Sequence, residues 1–233
     1  MHRPGLPAAV LWDMDGTLVD TEPYWMAAEH ELVGEHGGVW TDEDAAALVG
    51  NALEVSATII LERTGLPLTV SEVVQALLGR VVERVRAQVP WRPGARELLQ
   101  GLVDTGVPSV LVTMSWRSLA DTVVGRLPTG SFRGMVTGDQ VRRGKPDPEP
   151  YLAAARLLDL PPAACVALED SPAGVRSATA AGVPTLAIPH VVPVPEMAGA
   201  VQIRTLAGVG PADLLRLLDG ARPGAPADLT GGR

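Results

Sequence analysis

Val10-Leu11-Trp12-Asp13-Met14-Asp15-Gly16-Thr17 is the stretch that decides the fold. An apolar run from Ala8 to Trp12 stops abruptly at two aspartates, a glycine and a threonine. A strand buried on both faces reads this way where it leaves a parallel sheet. Four later runs share its character: Ser109 to Val112, Gly134 to Thr137, Cys165 to Leu168 and Thr185 to Ile188. All are short and rich in β-branched or small apolar residues, with little alternation.

Helical patterns separate the later runs. Arg96 to Thr105 stops at Gly106, Ser118 to Arg126 follows the second strand, and Pro150 to Asp159 precedes the fourth. Pro172 to Ala181 carries its own punctuation: Ser171 as N-cap, Pro172 at the first helical position and Gly182 beyond the end. Strand and helix in alternation predict an α/β fold with a doubly wound, Rossmann-like parallel sheet of five or more strands.

Between the first and second strands the rhythm changes. From Thr21 to Val89 the pattern is helical throughout. Thr41 with Asp44, and Thr69 with Glu72, have capping-box spacing. The second box opens an amphipathic run from Val70 to Gln88, with Val73, Val74, Leu77, Leu78, Val81, Val82 and Val85 on one side. Proline marks both edges of the block, at Pro23 and at Pro90 and Pro93. The expected organisation is a core of residues 1–20 and 93–219, a helical cap over 21–92, and a Gly-, Pro- and Ala-rich flexible tail over 220–233.

Apolar residues make up 46% of the 233-residue chain, enough for a sizeable core. No apolar run reaches the length of a membrane span, and the N-terminus lacks a secretory pattern. The single Cys165 reads as a small buried hydrophobe. The expectation is a cytoplasmic protein. A net charge of -8 argues against a nucleic-acid partner, since backbone binding needs a basic footprint. Lys145 is the one lysine among 19 basic residues.

Ligands of open parallel sheets bind beyond the carboxyl ends of the strands. There the sequence places Asp13, Asp15, Gly16 and Thr17 after strand one, Thr113 after strand two, Glu169 and Asp170 after strand four, and Lys145 soon after strand three. Carboxylates crowded together call for a cation, and oxygen-only ligands suit Mg²⁺. A hydroxyl and an ammonium suit the remaining oxygens of a phosphoryl group. The four histidines, His2, His30, His36 and His190, lack ligand spacing and read as surface or packing residues.

These four segments, DMDGT, VTMS, GKPDPEPY and LEDSPAG, resemble in order and spacing the four motifs of the haloacid dehalogenase-like superfamily. The helical insertion resembles the cap of its sugar-phosphatase and β-phosphoglucomutase branch. The resemblance implies an Mg²⁺-dependent phosphatase acting on a small, sugar-like phosphate ester. It makes Asp13 the nucleophile that forms an aspartyl-phosphate, and Asp15 the acid and base. Mg²⁺ would be held by Asp13, the Asp15 carbonyl and Asp170, with Glu169 close behind. Thr113, the Met114 backbone and Lys145 would bind phosphate. Glu22, Trp25, Asn51 and Trp116 are the candidate substrate contacts from the cap and its borders.

One position departs from the pattern. Motif two often continues from Thr or Ser into Asn, and here Met114 follows Thr113. A phosphosugar mutase is the competing reading, but Trp25 and Leu53 stand where that branch carries a histidine and an arginine. A non-catalytic phospho-accepting or phosphate-binding domain is the alternative of another class. The cap's need to open and close favours a monomer.

Overall fold

The computed structural model describes residues 5–220. Six parallel strands form the sheet: β1 (Ala9–Trp12), β2 (Ser109–Val112), β3 (Gly134–Val136), β4 (Cys165–Glu169), β5 (Thr185–Ala187) and β6 (Ala200–Gln202). Their order is β3-β2-β1-β4-β5-β6. The first five coincide with the expected strands to within one residue at either end. The sixth has only three residues, none of them buried, so its sequence carries no buried-strand signal.

The nine α-helices of the described residues are α1 (Glu22–Glu35), α2 (Asp42–Ala46), α3 (Leu53–Thr64), α4 (Val70–Ala87), α5 (Ala95–Thr105), α6 (Arg117–Val124), α7 (Glu149–Leu157), α8 (Pro172–Ala180) and α9 (Asp213–Gly220). Gly220 therefore ends a helix instead of opening a tail. The remaining tail positions, 221–233, lie outside the described residues. The strong hydrophobic pattern of Asp213-Leu214-Leu215-Arg216-Leu217-Leu218 forms α9, which closes the sheet beside β5 and β6.

β1 lies in the middle because both its faces are apolar. Val10 and Trp12 pack into one core with Leu111, Val166, Leu168 and Leu186. Ala9 and Leu11 face a second core with Val110, Val112, Ala167, Tyr151 and Ala154. Trp12 also donates its indole N–H to Ser109 Oγ at 3.3 Å.

α1 to α4 are inserted between β1 and β2. Both capping boxes form, with the Thr41 and Thr69 hydroxyls accepting from Asp44 and Glu72 backbone N–H groups. All seven residues of the expected apolar stripe on α4 are buried, against α1, α3 and α6. The two chain segments joining these helices to the sheet run side by side. Val19 bridges Trp91 in antiparallel fashion, and Asp20 N–H donates to Pro90 C=O at 2.7 Å.

Register then sets the site. Trp12 pairs with Leu111 on one side and Leu168 on the other, so Asp13, Thr113, Glu169 and Asp170 all follow at one edge of the sheet. The strand order reverses direction around β1, and this is where such sheets leave a crevice.

Candidate active site

Asp13 is 6% exposed at the tip of β1. Its Oδ1 accepts from Lys145 Nζ at 2.6 Å, while its Oδ2 is buried with no hydrogen-bond partner among the described residues. Burial is the main cause that lifts this carboxyl to about 7, and the Glu169 and Asp15 carboxylates add to it against the pull of Lys145. A buried carboxylate with an idle oxygen is costly to charge unless a ligand supplies the missing partner.

Lys145 reaches the site from the loop before α7, through a cis peptide to Pro146. Its ammonium contacts Asp13 Oδ1, Val112 C=O at 2.9 Å and Glu169 Oε1 at 2.6 Å. Burial disfavours its charge, but the two carboxylates outweigh burial and hold the ammonium above its usual range. The lone lysine of the chain is thus spent entirely inside.

Glu169 is fully buried at the end of β4. Tyr151 donates its hydroxyl to Glu169 Oε1 at 2.5 Å, and Oε2 has no hydrogen-bond partner among the described residues. The carboxylate rests on Gly174, where an added Cβ would stand 1.9 Å from Oε2. Asp170 is 4% exposed and raised well above the usual carboxylate range, by burial first and then by Asp13 and Glu169. It approaches Gly16, where φ is +88° and a Cβ would stand 2.0 Å from Asp170 Oδ2. Only glycine tolerates both that φ and that approach.

Carboxylate oxygens of Asp13, Glu169 and Asp170 lie within 4.8 Å of one another. This donor set fits a hard divalent cation: oxygen ligands only, two of them without a partner among the described residues, and Asp13 and Asp170 both raised by burial and by the neighbouring carboxylates.

Asp15, two residues beyond Asp13, is held by three hydroxyls. Thr21 donates to its Oδ1, and Thr113 and Ser115 donate to its Oδ2 at 3.1 and 2.8 Å. The Thr113 hydroxyl, expected to face phosphate, is therefore turned to Asp15 and also accepts the Ser115 N–H at 3.0 Å. Ser115 and Thr21 were not singled out in the sequence, although Ser115 follows Thr113 by two residues on the same strand end.

Met114 shows how the departure in motif two is accommodated. Its sulfur accepts the Lys145 backbone N–H at 3.2 Å and lies over Gly144, where a Cβ would stand 2.7 Å away. The side chain that cannot make an amide hydrogen bond makes a sulfur contact instead.

Above these groups the inserted helices enclose a cavity of about 770 Å³, counted with its open mouth. Asp13, Asp15, Thr113, Met114, Lys145 and Asp170 form its floor. Glu22, Trp25 and Asn51 line it, and Glu29, Ser115 and Ser171 join them. Trp116 does not line the cavity. It stands at the N-cap position of α6, half-buried, with its ring against the core and its indole N–H buried without a partner among the described residues.

The histidines of the described residues stay away from the site. His30 meets Asp42, His36 meets the Leu32 carbonyl and His190 meets Asp20. Cys165 is buried and unpaired on β4. Among the described residues, no helix is long and apolar enough to cross a membrane.

Comparison with known proteins agrees with this geometry. Residues 10–188 match a family described as haloacid dehalogenase-like hydrolase. The chain is 34% identical over 185 residues to a phosphorylated carbohydrates phosphatase of Thermotoga maritima, covering 75% of this chain and 82% of that one. It is 31% identical over 191 residues to a bifunctional riboflavin kinase/FMN phosphatase of Arabidopsis thaliana, covering 80% of this chain and 49% of that protein. The chain thus spans about half the length of that bifunctional relative. A crystal structure of CbbY from Rhodobacter sphaeroides in complex with phosphate is 28% identical, with a TM-score of 0.82 over 90% of this chain and 99% of that one.

Proposed function

The chain belongs to the haloacid dehalogenase-like hydrolase family and is a phosphoric monoester hydrolase; we propose that it cleaves a small, sugar-like phosphate ester with Mg²⁺ through an aspartyl-phosphate on Asp13. The observation that carries this reading is the asymmetry of Asp13: one oxygen fixed by Lys145, the other buried and without a partner among the described residues.

In the proposed cycle the Asp13 carboxylate attacks phosphorus and displaces the ester oxygen. Asp15 gives its proton to that oxygen, so the leaving group departs as an alcohol. Asp15 then takes a proton from water, and the water oxygen attacks the same phosphorus, releasing phosphate and restoring Asp13. The three hydroxyls on Asp15 keep its carboxyl aimed while it changes protonation state. Lys145 neutralises Asp13 and Glu169 and offers charge to the phosphoryl oxygens, with the Met114 and Ser115 backbone beside them. Asp13, Asp170 and Glu169 are the side chains that would hold the metal. Mg²⁺ bound there would supply the positive charge that lets a phosphate dianion approach a carboxylate.

Among the described residues, Lys145 is the only basic residue lining the cavity. A mutase has to grip a second phosphate, and no second cation of the described residues lines the cavity, which supports hydrolysis over phosphate transfer within a sugar. The core 1–20 and 93–219 would carry the chemistry, and the helices of 21–92 the choice of substrate. The same reading makes the protein a cytoplasmic monomer without a nucleic-acid partner.

The test is phosphate release from a panel of small esters, with and without Mg²⁺, beside Asp13→Asn. The expected result is metal-dependent turnover that the substitution abolishes. Conversion of β-glucose 1-phosphate to its 6-phosphate without phosphate release would overturn hydrolysis in favour of the mutase.

A further inference from the structure

The phosphate end of the cavity accounts for Asp13, Asp15, Asp170 and Lys145, but two more carboxyls face the same space. Glu22, Trp25 and Glu29 line it from α1 at positions i, i+3 and i+7, which is one face of a helix. Glu29 is 5% exposed. One of its oxygens accepts the Trp40 indole N–H at 3.0 Å, and the other meets no donor among the described residues. Glu22 likewise makes no hydrogen bond or ion pair there.

Neither carboxyl has a place in the proposed chemistry, and neither meets a cation among the described residues. Burial, followed by the Asp15 and Glu29 carboxylates, pushes Glu22 up to about 8. Burial pushes Glu29 up to about 7 in spite of the indole N–H. Acceptors of this kind, held over the phosphate-binding floor and lacking donors, are complementary to a positively charged group on the substrate. An ammonium bound there would let the buried carboxyls ionise, which a second phosphate or a carboxylate could not do. A neutral polyol would satisfy the acceptors but would leave them costly to charge.

Resting on the phosphatase reading, we infer that the leaving group carries an ammonium, as in an amino-sugar or amino-polyol phosphate, and that Glu29, with Glu22, is the residue that selects it. Trp25, between the two, gives the carbon skeleton an apolar wall.

The experiment compares kcat/KM for glucosamine 6-phosphate and glucose 6-phosphate, which differ in one ammonium against one hydroxyl. p-Nitrophenyl phosphate, which has neither, serves as the reference. The native enzyme is expected to prefer the amino ester by about tenfold or more. Glu29→Gln retains an oxygen for Trp40 but removes the charge, and the preference is expected to fall towards unity. Turnover of p-nitrophenyl phosphate with equal or better use of the neutral sugar overturns the inference and leaves the phosphatase reading standing. An undiminished preference in Glu29→Gln overturns the role of Glu29. No phosphate from any ester, the reference included, overturns the phosphatase reading and the inference with it. Should Glu29→Gln fail to fold, the ratio in the native enzyme still decides.

Discussion

The Lys145 ammonium stands 2.6 Å from the Asp13 carboxylate oxygen and at the same distance from a carboxylate oxygen of Glu169. Removing one partner of a buried, hydrogen-bonded charge cluster leaves the others uncompensated. Lys145→Ala is therefore expected to lose activity by roughly 10²–10³-fold. It is also expected to destabilise the metal-free protein by about 3 kcal/mol. Steady-state kinetics and thermal unfolding without metal measure the two effects. Unchanged stability would show that the ammonium is not what balances these carboxylates.

Gly174 invites a counterintuitive substitution. Glycine to alanine in a helix ordinarily stabilises by about 0.5–1 kcal/mol. Here the new Cβ would fall 1.9 Å from Glu169 Oε2, so the sign should reverse. Gly174→Ala is expected to destabilise by about 1–3 kcal/mol. By displacing Glu169 it should also weaken metal binding by roughly 10–100-fold. Unfolding curves and the Mg²⁺ dependence of turnover read these separately.

Met114 can be asked what its sulfur does. Met114→Leu conserves volume but deletes the acceptor for the Lys145 N–H. Stability should change by less than about 1.5 kcal/mol. Activity should fall several-fold, because the loop that presents Lys145 loses its anchor. Comparable kcat/KM values for the two proteins would reduce Met114 to a space-filler.

Glu22 and Glu29 give the protein a pH signature. Their folded-state values of about 8 and about 7 stand above the ordinary value of 4.5. Between these limits the folded state binds more protons than the unfolded state, so stability must fall as pH rises. With Mg²⁺ saturating, unfolding free energy is expected to decline from about pH 4.5 to about pH 8 as these two groups ionise. Glu29→Gln should flatten that decline. A stability that climbs steadily through this interval would contradict the placement of both carboxyls.

Much of this arrangement is legible in the sequence because it lies at strand ends. The strands carrying Asp13, Thr113 and Asp170 are continuous apolar runs, and the residues that follow them are polar, so both the sheet and the convergence of the site can be read. β6 cannot, since three half-exposed residues leave no buried pattern. The cap is harder for a different reason. Glu29 on α1 looks like any solvent-facing glutamate until Trp40 is seen folded against it. Trp116 misleads in the opposite way: its place beside motif two suggests the cavity, but as the first cap of α6 its ring is drawn to the core. Thr113 is legible as a site residue but not in its orientation, because three hydroxyls converge on Asp15 and two of them come from residues distant from it in the chain.

The antiparallel bridge between Val19 and Trp91 brings the two ends of the helical insertion together. From the standpoint of the sheet, everything between them amounts to one long excursion closed at its base, like the loop of a hairpin. Closing such a loop costs entropy that grows only slowly with its length. Lengthening, shortening or exchanging the excursion therefore disturbs little of what β1 and β2 must do to pair. Discrimination among esters can diverge rapidly there, while the machinery that breaks the phosphorus–oxygen bond stays as it is.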